Sequence, residues 1–275
     1  VVLPRSGYSI VARGGVKRNP GKTNPDQEPS VVESRKKRLV RFGRKGQVFK
    51  KTLFNHLINN QITTKMNVRQ AYNIWAEQYD TNNNKTRDLE AYALRDNLAN
   101  AHFDTCLEIG CGTGKNTEWL LTKAKEILAV DLSEEMLSRS KAKIDSVRVQ
   151  FHQADINMPW TFVTKKFHLV TFSLVLEHIE NLDPIFEQAA NSVLPGGYLY
   201  IGELHPFKQY VGTKARFETE EGIQIVTCFN HNVSDFTVIG EKYGFEIASL
   251  KEYFDENDHT ILPRILTILF KKNEP

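Results

Sequence analysis

Short apolar runs that stop at a polar residue recur through the middle of the chain, and each is followed by a stretch with apolar residues three or four apart. Thr105–Ile109, 127–130, 147–152 and 167–172 are predicted as buried strands, and 198–202, 245–254 and 263–271 continue the series. Between them, 115–121, a segment capped by Ser133, 182–193 and 233–243 read as helices. Ahead of the first strand, Val68, Tyr72, Trp75, Ala76 and Tyr79 put aromatic bulk on one helix face, facing core or a ligand. In a second helix Leu89, Tyr92, Ala93, Leu94 and Leu98 share a side. Strands alternating with helices predict an α/β fold around a parallel sheet.

The first strand runs into Gly110-Cys111-Gly112-Thr113-Gly114 and then into a helix. Glycines there let the backbone turn sharply and approach a ligand closely. The spacing is neither the GxxxxGK[ST] of a phosphate loop nor the GxGxxG of a dinucleotide binder. Asp131 ends the second strand, about 20 residues after the loop, where a carboxylate would hold a ribose diol. The third and fourth strands run into Asp155 and Ser173, so the polar ends gather on the sheet edge where such folds bind ligands. His178 follows the fourth strand and Glu203 and His205 follow the fifth, which makes them candidate general bases. His205 also precedes Pro206 and reads equally as a turn residue.

Charge divides the chain. Residues 1–65 carry 15 Lys/Arg against 3 Asp/Glu, and the remainder carries 21 against 30, so a net charge of +3 conceals +12 joined to −9. The basic leader is rich in Gly, Pro and Asn without periodicity, which argues for disorder. Its reading stays open between an upstream extension ahead of Met66, a solvated tail, and a nucleic-acid arm built on Arg35-Lys36-Lys37-Arg38, Arg41, Arg44 and Lys45. Cys106, Cys111 and Cys228 form no CxxC pair and no metal framework, and a reducing, cytoplasmic compartment fits them best. No run is apolar enough to span a membrane. Asn232-Val233-Ser234 reads as a helix start rather than a glycosylation site.

In order, 108–114, 130–136, 153–156, 167–178 and Leu194-Pro195-Gly196-Gly197-Tyr198 resemble the five motifs of class I S-adenosylmethionine-dependent methyltransferases, and 72–80 is similar to their lead-in helix. The resemblance covers residues 66–275. It implies a Rossmann-like three-layer sandwich whose seven-stranded sheet has order 3-2-1-4-5-7-6 with the last strand antiparallel. It also implies S-adenosylmethionine as cofactor. Glu108 would orient its amino group or the loop, and Gly110, Cys111 and Gly112 would pass close to it. Asp131 would take the ribose hydroxyls, Leu132, Met136 and Ile156 would flank the adenine, Asp155 would meet the adenine amino group, and Ser173 the methionyl end.

Residues 207–231 look like an insertion covering the substrate, with Phe207, Tyr210, Phe217, Phe229 and Phe254 as candidate lining aromatics. Ser173-Leu174-Val175-Leu176 lacks the Pro-Pro-aromatic signature of exocyclic-amine nucleic-acid methyltransferases, and the acidic body argues against a phosphate-rich partner. The expected activity is methyl transfer to a small molecule. The alternatives are an RNA- or ribosome-directed enzyme using the leader, and a non-catalytic binding module.

Overall fold

The computed structural model describes residues 65–220 and 222–274, all within the unit Gln61–Pro275. The expectations for the basic leader fall almost wholly outside the described residues. In chain order the elements are β1 (Lys65–Met66), α1 (Val68–Trp75), α2 (Lys85–Leu98), β2 (Thr105–Ile109), α3 (Lys115–Leu120), β3 (Glu126–Asp131) and α4 (Glu134–Lys143). They continue with β4 (Val149–Gln153), β5 (Phe167–Ser173), α5 (Asp183–Ser192), β6 (Val193–Leu204), α6 (Pro206–Tyr210), β7 (Arg216–Thr219) and β8 (Gly222–Val226). Last come α7 (Val233–Lys242), β9 (Phe245–Tyr253) and β10 (Ile265–Lys272).

Seven strands form one sheet in the order β4-β3-β2-β5-β6-β10-β9. Strands β2 to β6 run parallel, and β10 is antiparallel to both β6 and β9, which is the expected arrangement. Period-two alternation gives the sheet two apolar faces. Leu107, Ile109, Val170 and Phe172 pack with Ile185 and Phe186 of α5 and Phe236 of α7. Cys106, Ile127, Ala129 and Leu169 pack instead with Leu94 and Leu98 of α2, Leu120 of α3 and Leu137 of α4. The layers are therefore helix, sheet, helix.

A second sheet of order β1-β8-β7 packs with α1 around Ala71, Trp75, Phe217 and Val226. Trp75 stacks on Phe217 with centroids 5.2 Å apart. Helix α1 is also tied to α4, because Ser133 Oγ donates to Asn73 Oδ1 at 2.6 Å while accepting from Met136 N as the N-cap. Residues 207–231 thus fold as α6 and the β7–β8 hairpin. At Asn232 the helix start is a capping box in which Asn232 N donates to Asp235 Oδ2 at 2.7 Å.

Three local expectations are corrected. Tyr92 is exposed; the buried face of α2 carries Glu90, Ala91, Ala93, Leu94 and Leu98. Val147 is fully exposed and β4 begins two residues later. Gly196-Gly197 does not precede the fifth strand but lies inside β6, where Val193 pairs with Phe167 and Tyr198 with Leu169. The extra residues bulge out, with Gly196 at φ +71 and a Cβ at Gly197 only 2.8 Å from His168 O.

Candidate active site

The loop after β2 is fixed by its backbone. Gly110 N and Cys111 N both donate to Val130 O, at 2.7 and 3.0 Å. Gly110 sits at φ +73, and a Cβ there would lie 2.1 Å from Val175 Cγ2, so glycine lets this loop touch the segment after β5. Gly112, at φ +53, differs: a Cβ there would meet nothing within 4 Å. Its N–H donates to Asp131 Oδ2 at 2.8 Å, and the other Asp131 oxygen accepts from Ser133 N at 2.8 Å. Burial raises the Asp131 carboxyl above its ordinary value, against those backbone donors.

A cleft at this sheet edge is lined by Gly110, Gly112, Asp131, Leu132, Met136, Asp155, Ile156, Ser173 and His178, which sequence reasoning had assigned to the site. Tyr72 and Tyr79 from the lead-in region line it too, as do Asn157, Leu174 and Val175. The aromatic spacing signalled Tyr72 and Tyr79; nothing in the sequence distinguishes Asn157 or Leu174. Arg87 is not part of it, because its guanidinium donates to Tyr79 O and Asn82 O.

Two assigned residues lie off the cleft. Cys111 is buried in the core beside Leu120 and Ala129. Glu108 shares its strand face with Cys106, and its Oε2 accepts from Thr117 Oγ1 at 2.6 Å, which fastens α3 behind the loop.

The candidate bases separate sharply. His205 is fully buried and caps α6: Nδ1 accepts from Phe207 N at 3.1 Å, and Nε2 lies 3.0 Å from Glu252 Oε1. It is outside the cleft, because its ring is spent on the turn into Pro206. Glu203 is also outside the cleft. Its two oxygens accept from Val175 N, Leu176 N and Glu177 N at 2.9, 2.8 and 3.3 Å, so it shapes the segment after β5.

His178 does reach the cleft. Nδ1 lies 2.8 Å from Thr227 O, a group that only accepts, so the neutral ring carries its hydrogen there and Nε2 accepts from Tyr72 Oη at 2.8 Å. Burial holds the Tyr72 phenol well above its ordinary range, so it stays a donor. Glu177, His178 and Cys228 place donor atoms within 4.8 Å of one another, yet both ring nitrogens of His178 are already engaged. Burial, with Glu177 alongside, pushes the Cys228 thiol up to about 12.

Of the proposed lining aromatics, Phe207 and Tyr210 are exposed and Phe217 is core; none lines the cleft.

Burial pushes Glu108 and Glu203 up to about 8 and Glu90 up to about 7. These folded values exceed those of the unfolded chain, so the native state binds the extra protons and loses that stabilisation as pH rises through them. Between pH 6.5 and 8 we expect stability to fall by on the order of 4 kcal/mol. The opposing effect of His205, which burial lowers, lies mostly below this window. Urea midpoints at the two pH values check this, and a midpoint that rises would contradict it.

Residues 107–201 match the methyltransferase domain family. A methyltransferase of Emericella nidulans is 29% identical over 219 residues, covering 66% of this chain and 76% of that one. The fold aligns with a S-adenosylmethionine-dependent methyltransferase of Listeria monocytogenes at TM-score 0.57 and 23% identity, over 68% of this chain and 99% of that one. Residues 107–201 carry a methyltransferase domain, on the fold of S-adenosylmethionine-dependent methyltransferases.

Among other relatives of this chain, the ubiquinone biosynthesis O-methyltransferase of Hydrogenovibrio crunogenus is 27% identical over 135 residues. The match spans 48% of this chain and about half, 55%, of that one. The family cofactor is S-adenosylmethionine, and the cleft passes a physical test of fit. Glycine leaves the space beside residue 112 clear, an acid stands at the end of β3, and apolar Leu132, Met136 and Ile156 offer a surface for a flat ring. Among the described residues no helix is long and apolar enough to cross a membrane.

Proposed function

We propose that this chain transfers a methyl group from S-adenosylmethionine to a small-molecule acceptor. The observation that carries the reading is the adjacency of two cavities. The cleft at the ends of β2, β3 and β5 shares Tyr72, Tyr79 and Leu174 with a second cavity walled by side chains of α1, the segment 82–86 and the β7 region. A walled cavity suits a compact acceptor better than a polymer. The relative that acts in ubiquinone biosynthesis is consistent with a small acceptor.

In this reading Asp131 receives the ribose hydroxyls and the backbone of Gly110 and Gly112 borders the methionyl portion. Leu132, Met136 and Ile156 flank the adenine, with Asp155 at its amino group and Ser173 at the methionyl end. When bound, the cofactor supplies a methyl carbon on a cationic sulfur: an acceptor lone pair forms the new bond as the carbon–sulfur bond breaks with its electrons passing to sulfur. The chain's task is alignment and the exclusion of water. Tyr72 and His178, locked to each other, form a fixed wall rather than a mobile base. The three unpaired cysteines support a reducing, cytoplasmic setting.

Saturating S-adenosylhomocysteine should raise the melting temperature, since binding at 100 times Kd adds about 2.7 kcal/mol. No shift would remove the catalytic reading. Replacing Asp131 with Ala deletes charge-assisted hydrogen bonds of about 1.5–3 kcal/mol each, so affinity should fall about 100-fold by titration calorimetry. An Asp131→Ala variant within threefold of wild type would refute this placement. Incubation of the full chain with labelled donor and a metabolite extract identifies the acceptor.

A further inference from the structure

The second cavity has one feature that packing leaves unexplained. Glu177 is only 5% exposed and borders the cavity, yet its buried Oε2 has no nitrogen or oxygen partner, and what stands beside the carboxylate is the Cys228 thiol, a weak donor. A buried carboxylate oxygen is normally paired, because desolvation without compensation costs several kcal/mol. Its backbone is pinned on both sides: Glu177 N donates to Glu203 Oε2, and Glu177 O accepts from Phe229 N at 2.7 Å. The backbone that carries the carboxylate is thus fixed. The nearest cationic candidate, His178 Nε2, is 4.0 Å from Oε1 and already accepts from Tyr72. A ligand cation would supply the strong partner that a thiol does not.

The outer wall has the opposite charge. Lys85 pairs with Glu256 and Arg264 with Asp255. Lys214 and Arg216 border the same cavity, are exposed, and have no acidic partner among the described residues. Negative within and positive without is the complement of a molecule with an ammonium at one end and an acid at the other. Resting on the donor-site reading above, we propose that the second cavity binds a small amino acid as the methyl acceptor, its ammonium at Glu177 and its acid group at Lys214 and Arg216. Glu177 Oε2 takes one proton from the ammonium: the N–H bond breaks, an O–H bond forms, and the nitrogen lone pair is freed for the methyl carbon beyond Tyr72 and Leu174.

The test titrates the full chain by calorimetry with ω-amino acids from glycine to 6-aminohexanoate, using butylamine and butyrate as single-charge controls. Each titration is run with and without saturating S-adenosylhomocysteine. One amino acid should bind at least tenfold tighter than either control. Glu177→Gln should reduce it to the level of butyrate, and a Lys214→Gln/Arg216→Gln double variant to the level of butylamine. With labelled donor, that amino acid should yield an N-methyl product.

The proposal is overturned if no amino acid binds, if a control binds equally well, if either variant stays within twofold of wild type, or if the tightest binder is not methylated. Retained S-adenosylhomocysteine affinity in the variants shows that they fold. Failure of wild type to bind S-adenosylhomocysteine counts against the donor site instead, and the titrations without it judge the second cavity alone.

Discussion

Gly112→Val should abolish S-adenosylhomocysteine binding, by 1,000-fold or more, while leaving a folded protein. Residue 112 sits at φ +53, and a Cβ there meets no protein atom within 4 Å. The valine would therefore project into the cleft and occupy space the donor needs. Left-handed backbone costs a β-branched residue about 1–3 kcal/mol, which for a domain of this size lowers melting by roughly 2–12 °C. Binding and folding separate because the steric conflict is with the ligand. At Gly110 the balance reverses, since a Cβ would collide with Val175. Calorimetry and thermal melts on the same sample check the prediction; tight binding by Gly112→Val would show that the donor does not pass this loop.

Glu203→Ala should produce the largest loss of stability, about 4 kcal/mol or more. Its carboxylate collects three consecutive backbone N–H groups in a site that is 2% exposed. Removing it strands buried donors worth about 1–3 kcal/mol each, a large part of a domain's usual 5–15 kcal/mol. Glu203→Gln keeps an accepting oxygen and should fall between. Because the three N–H groups belong to the segment that lines the cleft, donor affinity should weaken with stability in both variants. A Glu203→Ala protein that melts like wild type would return this residue to the list of candidate bases.

The frame of the fold was legible because a buried parallel strand has few ways to be written. Thr105–Ile109 stands as read, and Asp131 and Ser173 close β3 and β5 at the cleft. The loop glycines were legible for the same local reason. What escaped was long-range. Glu203 looks like an acid on the ligand edge until Val175–Glu177, 26 to 28 residues away, wraps around it. His205 before proline offered a cap and a base with equal force, and its Glu252 partner lies on another strand. Tyr92 satisfied helical spacing but lost the core to smaller Ala91 and Ala93. Glu177 had no signature apart from its neighbour His178; only a buried oxygen without a nitrogen or oxygen partner, beside a cavity, singles it out.

The parallel pairing of Lys65 with Ile225 and Met66 with Val226 closes a very long loop with two residues. Loop closure of that length must be made before the contact rewards it, so this edge is expected to zip after the seven-stranded sheet has formed. Helix α1 lines both cavities and the β7 region the second, and they meet the body through a handful of hydrogen bonds such as Ser133–Asn73, Tyr72–His178 and His178–Thr227. Native-state hydrogen exchange should therefore rank the amides of β8 well below those of β2 and β5, placing the most easily released part of the domain directly above its chemistry.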